Sequence, residues 1–244
     1  KNKVKIRNAL ISVSNKKGLG KFVKNLGLLG VKIIASGGTA EYINDLGFNV
    51  TDIEAITGYP ELLDGRVKTL HPKIHSSILA DRGNKNHIQD LKNLKLEAID
   101  LVVCNLYPFT DVVRKNKNNE CCIENIDIGG ITLLRGAAKN YKYVTVVTNF
   151  SDYEEAIKHF LKNHGCSTYE FRLEKAQKAF NYTSIYDSEI SNWFSKINKK
   201  EFTKPTFKDE KFRNYLSYGE NSHQKAEFFQ DEETRKNWGN FKKL

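Results

Sequence analysis

The sequence predicts an α/β domain built around a mostly parallel sheet. Short runs that are apolar throughout suit strands covered on both faces. Stretches with apolar residues at helical spacing lie between those runs, and Gly, Ser and Thr cluster where one kind of segment passes into the next. With 244 residues, 39% of them hydrophobic and 11% aromatic, the chain can bury a proper core.

"NALISV" (8–13) is the first such run, and Leu19, Phe22, Val23, Leu26 and Leu29 then recur as one face of a helix. "VKIIAS" (31–36) is the next strand. "GGT" opens a short helix carrying Tyr42, Ile43 and Leu46, ended by Gly47. "FNVTDI" (48–53) is a third strand. A basic loop follows, "GRVKTLHPKIH" (65–75), with no regular apolar period, and a helix is expected near 86–95. "IDLVVCNLYPF" (99–109) reads as a buried strand with polar and aromatic residues at its end, "GITLLRGAAKNY" (130–141) as a helix and "YVTVVT" (143–148) as a strand. Ser151 and Glu154 fit a capping box opening "DYEEAIKHFLK". From 168 to 197 the pattern becomes one long helix or two broken ones, and beyond Asn198 it is polar and aperiodic, a linker. The expected domains are 1–197 and a short extension, 198–244.

Composition narrows the classes. The net charge of +10 is spread out: residues 1–80 hold 12 basic and 6 acidic side chains, 81–194 hold 15 of each, and 195–244 hold 12 and 8. No aromatic-interleaved basic patch forms, which argues against a nucleic-acid partner. No run approaches the roughly 18 apolar residues of a membrane span, and the N-terminal stretch enters a strand instead of a signal core. The expectation is a cytoplasmic protein with no membrane partner. Four cysteines without metal-ligand spacing read as reduced, structural thiols. The absence of methionine, initiator included, fits a fragment of a longer chain.

Ligands of open α/β sheets bind at the carboxyl ends of the strands. "SVSNK" (12–16) puts Ser14, Asn15 and Lys16 at one such end, and "SGGT" (36–39) puts Ser36, Gly37, Gly38 and Thr39 at the next. Backbone amides, hydroxyls and an ammonium can converge there on an anion, although Ser and Thr are also ordinary helix caps. Neither turn is GxxxxGK[ST] or GxGxxG, so one small phosphate fits better than a triphosphate or dinucleotide. Tyr107 is either a buried phenol with one structural hydrogen bond or a site group. Asp127 stands before Gly129 and Gly130 at a helix start, where capping is the plain alternative, and Lys139 follows about two and a half turns later. With Lys68 these make two lysines, a tyrosine and an aspartate near one sheet edge, suited to moving protons. His71, held extended by Pro72, braces the loop, and no zinc or GxSxG pattern occurs.

"SVSNKKGL", "SGGTAEYI", "TGYPELLDGRVKTLHPKIHSSILA", "DLVVCNLYPF" and "ENIDIGGITLLRGAAKN", in this order, resemble the inosine monophosphate (IMP) cyclohydrolase half of the bifunctional purine biosynthesis family, whose other half is a transformylase. The resemblance covers about residues 7 to 197. It implies a methylglyoxal-synthase-like, Rossmann-like three-layer domain with added C-terminal helices. It also implies closure of a formamido imidazole carboxamide ribotide to IMP, without cofactor or metal, in a homodimer. By position, Lys68, Tyr107, Asp127 and Lys139 would be catalytic, with Lys139 the proton donor and acceptor. Ser14, Asn15, Lys16, Ser36, Gly37, Gly38, Thr39, Arg66, Val67, Thr69, Cys104, Asn105, Ile128 and Gly129 would hold the nucleotide monophosphate.

The tail "LSYGENSHQKAEFF" (216–229) resembles the opening of the transformylase half, with Ser217 and Ser222 in place of the family's Arg and Pro. The Lys-His pair of formyl transfer is absent from the sequence. No transformylase activity is expected, and 10-formyltetrahydrofolate would concern only that half. Three other readings remain open here: a methylglyoxal-synthase-like enzyme, a non-catalytic nucleotide-sensing module, and a nucleic-acid-binding protein.

Overall fold

The computed structural model describes residues 3–60, 62–115, 118–198, 213–215 and 227–229. The expected linker after Asn198, and most of the tail, lie outside the described residues. Two compact units are present, Lys1–Asn192 and Trp193–Leu244.

In the first unit, β1 (Val4–Lys5) leads into β2 (Asn8–Val13) and α1 (Leu19–Leu28), then β3 (Lys32–Ala35), α2 (Gly37–Asp45), β4 (Val50–Asp52) and α3 (Ile53–Thr57). A 3-10 turn, Leu63–Gly65, precedes α4 (Pro72–Leu79) and α5 (Lys85–Asn93). β5 (Leu101–Asn105) is followed by α6 (Phe109–Arg114), α7 (Asn119–Glu124), α8 (Gly129–Lys139) and β6 (Thr145–Val147). A second 3-10 turn, Phe150–Asp152, leads to α9 (Tyr153–Lys162), β7 (Cys166–Ser167) and α10 (Tyr169–Asn198), of which the residues up to Asn192 belong to this unit.

Five strands form one wholly parallel sheet in the order β4-β3-β2-β5-β6, while β1 pairs antiparallel with β7. β2, β5 and β6 are buried almost throughout because helices cover both faces, which is why their sequences do not alternate. One layer packs Leu19, Phe22 and Leu26 of α1, Ile43 of α2 and Phe160 of α9 on Ile11, Ile33 and Val103. The opposite layer brings α4 and α8 together, α8 lying on β5 and β6. The second unit contains β8 (Arg213–Tyr215) and β9 (Glu227–Phe229), an antiparallel pair with Arg213 opposite Phe229.

Two expectations are corrected, and the choice left open for 168–197 is decided. The capping box does not form: Asn149 Oδ1 accepts from Ser151 N at 2.9 Å and opens the 3-10 turn, and α9 begins only at Tyr153. The last four residues of the basic loop are helical, because His71 Nδ1 accepts from Lys73 N at 3.1 Å and Pro72 fits the first turn of α4. Tyr169–Asn198 is one helix. Among the described residues no helix is long and apolar enough to cross a membrane.

Candidate functional site

β3 lies on one side of β2 and β5 on the other, so the crevice that α/β sheets use for ligands falls at the ends of β2 and β5. One side chain shapes it. Asn105, the last residue of β5, accepts through Oδ1 from Ser14 N at 2.7 Å and Asn15 N at 2.9 Å, and donates through Nδ2 to Asn15 O at 3.0 Å. Ser14 Oγ stands 2.9 Å from both Asn105 Oδ1 and Leu106 O. Ser14 is therefore a clamp for the turn after β2 and not the cap of α1, whose N-cap is Gly18. Asn105 spends its amide on the same clamp.

The turn after β3 lies beside it. Gly37 has φ +52, and a Cβ there would stand 2.8 Å from Lys68 Nζ; a Cβ on Gly38 would stand 3.8 Å from Lys16 Nζ. Ser36 occupies the N-cap of α2 without a side-chain cap bond. Thr39 is buried, its hydroxyl 3.2 Å from both Val13 N and Val13 O, so it ties α2 to β2. Two ammonium groups thus lie against a glycine turn that opens a helix, the setting in which backbone amides and cations bind an anion together.

The next residue in the chain carries the contact onward. Thr69 is buried, and its Oγ1 lies 2.5 Å from where a Cβ on Gly129 would be. At that end of α8, Asp127 Oδ1 accepts from Gly130 N at 2.7 Å, and the Asp127 carboxylate also takes a bond from the Tyr107 amide. Burial holds the Asp127 carboxyl above the usual aspartate range despite those two bonds. Cys104 is buried behind it, its thiol facing Gly130 O at 3.7 Å and pushed well up by burial and by Asp127. Tyr107 is 54% exposed, which rules out the buried-phenol alternative, and Ile128 is exposed at the same rim.

Other expected site residues lie elsewhere or are otherwise engaged. Arg66 is exposed and ion-paired with Glu124 of α7, and the Val67 carbonyl accepts from Leu70 N. Lys139 is exposed at the C-terminal end of α8, ten residues from Gly129 and thus about 15 Å along the axis. Its neighbour Asn140 bonds Ile78 O and Ala80 O where α4 ends. Helices α4 and α8 both run from the carboxyl edge to the amino edge, so in one chain Lys139 sits at the opposite edge from Asp127. His71 caps α4, and His75, bonded to the Thr69 backbone, has its pKa lowered by burial.

A cleft of about 390 Å³ opens beside this site, between the ends of β2, β5 and β6 and the helix α10. Asn15, Tyr107, Asn149, Tyr182, Tyr186 and Glu189 are among its walls. The α10 residues were not singled out from sequence for this place. Their signal was the four-residue spacing of Tyr182 and Tyr186 on a helix face, where a buried phenol needs a partner for its hydroxyl. Among the described residues no group of three or more His, Cys, Asp or Glu side chains is placed to hold a metal ion.

A family model described as "MGS-like domain" matches residues 18–132, and one described as "AICARFT/IMPCHase bienzyme" matches residues 137–244. The chain is 47% identical over 227 residues to the bifunctional purine biosynthesis protein PurH of Thermoanaerobacter sp. (strain X514), a match covering 92% of this chain and 44% of that protein. It is 46% identical over 229 residues to PurH of Caldicellulosiruptor bescii, covering 91% and 44%. The chain belongs to the PurH family. It spans about 44% of the length of these PurH relatives. The crystal structure of ForH superposes with a TM-score of 0.67 at 31% identity, covering 78% of this chain and 99% of that one. Lys68, Tyr107 and Asp127 fall within the MGS-like match, while Lys139 falls in the bienzyme match.

Proposed function

We propose that this chain is an IMP cyclohydrolase. It closes the formamido imidazole carboxamide ribotide to IMP with loss of water, and no metal or cofactor takes part. The observation that carries the proposal is the pair Lys68–Thr69. Lys68 lies on the Gly37 turn and Thr69 on the start of α8, which links an anion cradle to the Asp127 and Tyr107 pair. A ribotide phosphate on the cradle directs its base toward that pair.

Ring closure needs geometry and protons. The carboxamide nitrogen attacks the formyl carbon, a C–N bond forms, and the carbonyl electrons pass to oxygen, which takes a proton as the nitrogen gives one up. The hydroxyl then takes a second proton, the C–O bond breaks and water leaves, while the formamido nitrogen gives up its proton and its electron pair forms the ring C=N. Holding both groups in contact supplies much of the rate. The first-turn amides of α8 stabilise the developing oxyanion, and Asp127, with Tyr107 beside it, moves the protons.

The direct test is formation of IMP by the purified chain, followed spectrophotometrically with EDTA present; a folded chain that binds IMP and makes none contradicts the proposal. The pH profile adds a signature. Asp127 acts as a carboxylate, so activity is lost as pH falls through its pKa, which burial holds above the ordinary 3.8. The acid limb of kcat/KM is expected above that value, and a limb at or below it would contradict the role.

The position of Lys139 adds a condition. At the far edge of its own chain it can serve the site only from a second copy, in the homodimer that the resemblance implies. Lys139→Ala and Asp127→Asn proteins are each expected to be inactive, and mixing them to regenerate about a quarter of normal turnover, because half the dimers are mixed and one of their two sites is intact. Full activity of Lys139→Ala alone, or no recovery on mixing, contradicts the shared arrangement.

A further inference from the structure

Two phenols of α10 bond to backbone amides in the segments that carry the proposed reacting groups. Tyr182 and Tyr186 are four residues apart, so they share one helix face about 6 Å apart along the axis. Tyr182 Oη accepts from Leu106 N at 3.2 Å. Tyr186 Oη accepts from Asp127 N at 2.9 Å and donates to Asn125 O at 3.4 Å. Leu106 directly precedes Tyr107, and Asp127 is itself the proposed proton carrier.

A buried tyrosine is satisfied by any one partner. Here the two partners lie on two different segments, the end of β5 and the start of α8, and those segments are already joined by the Tyr107 amide on the Asp127 carboxylate. Tyr186 is buried and packs edge-on against Phe109, with ring centroids 6.4 Å apart, so its hydroxyl has little freedom. Burial raises both phenols, Tyr186 to about 12, and keeps them neutral over the working pH range.

We propose that Tyr182 and Tyr186 are positioning residues for ring closure, fixing Tyr107 and Asp127 relative to each other through the Leu106 and Asp127 amides. The proposal rests on the cyclohydrolase reading. Its geometric part, that α10 sets the surroundings of Asp127, can be measured without turnover. The titratable groups facing Asp127 are Cys104 of β5 and the two phenols themselves.

The experiment uses the full chain with Tyr182→Phe, Tyr186→Phe and the double change. Each variant is expected to bind IMP within about twofold of the parent, while kcat falls about tenfold per hydroxyl removed, as small misplacements of reacting groups do. In Tyr186→Phe the Asp127 amide loses its acceptor, the carboxylate is held less firmly by its own backbone bonds, and the acid limb moves upward. A merely structural role would lower the melting temperature and leave kcat and the limb in place, and that result overturns the proposal. If the parent chain proves inactive, the cyclohydrolase reading fails by itself. The Asp127 carboxyl titration and Leu106 and Asp127 amide exchange, followed by NMR, then decide: no change in either Phe variant overturns the positioning role.

Discussion

Asp127→Asn is expected to lower kcat for ring closure by about 10²–10⁴-fold while IMP affinity changes little, the range that a positioned proton-transfer group supplies. The carboxylate is half-buried at the start of α8 and accepts bonds from the Gly130 and Tyr107 amides. Asparagine keeps one acceptor oxygen and turns an NH2 toward the other donor, so part of the loss could be misplacement instead of lost proton transfer. Two readouts separate these causes. The melting temperature and the IMP dissociation constant report whether the loop after β5 still meets α8, and kcat reports the chemistry. A stable variant that binds IMP and keeps full turnover removes Asp127 from the mechanism.

Lys68→Ala is expected to weaken IMP binding by about 10- to 150-fold, the equivalent of about 1.5–3 kcal/mol for one hydrogen bond to a charged group. Its ammonium lies against Gly37, where the backbone is too close for a side chain, so an arginine cannot take the same place without shifting the turn. Lys68→Arg is accordingly expected to recover little, which distinguishes a seated ammonium from a general positive field. An alanine variant with parental affinity contradicts the anion cradle.

The sheet was legible because β2, β5 and β6 are buried on both faces and the long flanking helices carry an apolar stripe, patterns that survive any detail of packing. The positions of Ser14, Gly37 and Asp127 followed from their places at strand ends and a helix start. What stayed hidden depends on partners far away in sequence. Asn105 looks like any residue leaving a strand, and its clamp on the Ser14–Asn15 turn spans 90 residues. Tyr186 reaches the Asp127 amide across 59 residues. Lys139 was placed at the same sheet edge as Asp127 and given its role by the family resemblance, whereas the length of α8 carries it to the opposite edge of its own chain. The Ser151 capping box failed for a local reason: Asn149 offered the backbone a tighter turn first.

A crystal structure of the chain with IMP bound tests the central claim most directly. The account predicts the phosphate on the Gly37–Thr39 turn, within hydrogen-bonding distance of the Lys16 and Lys68 ammonium groups, with the base directed at Asp127. A phosphate lodged instead in the cleft between Tyr107 and Tyr186, with the glycine turn empty, would contradict it.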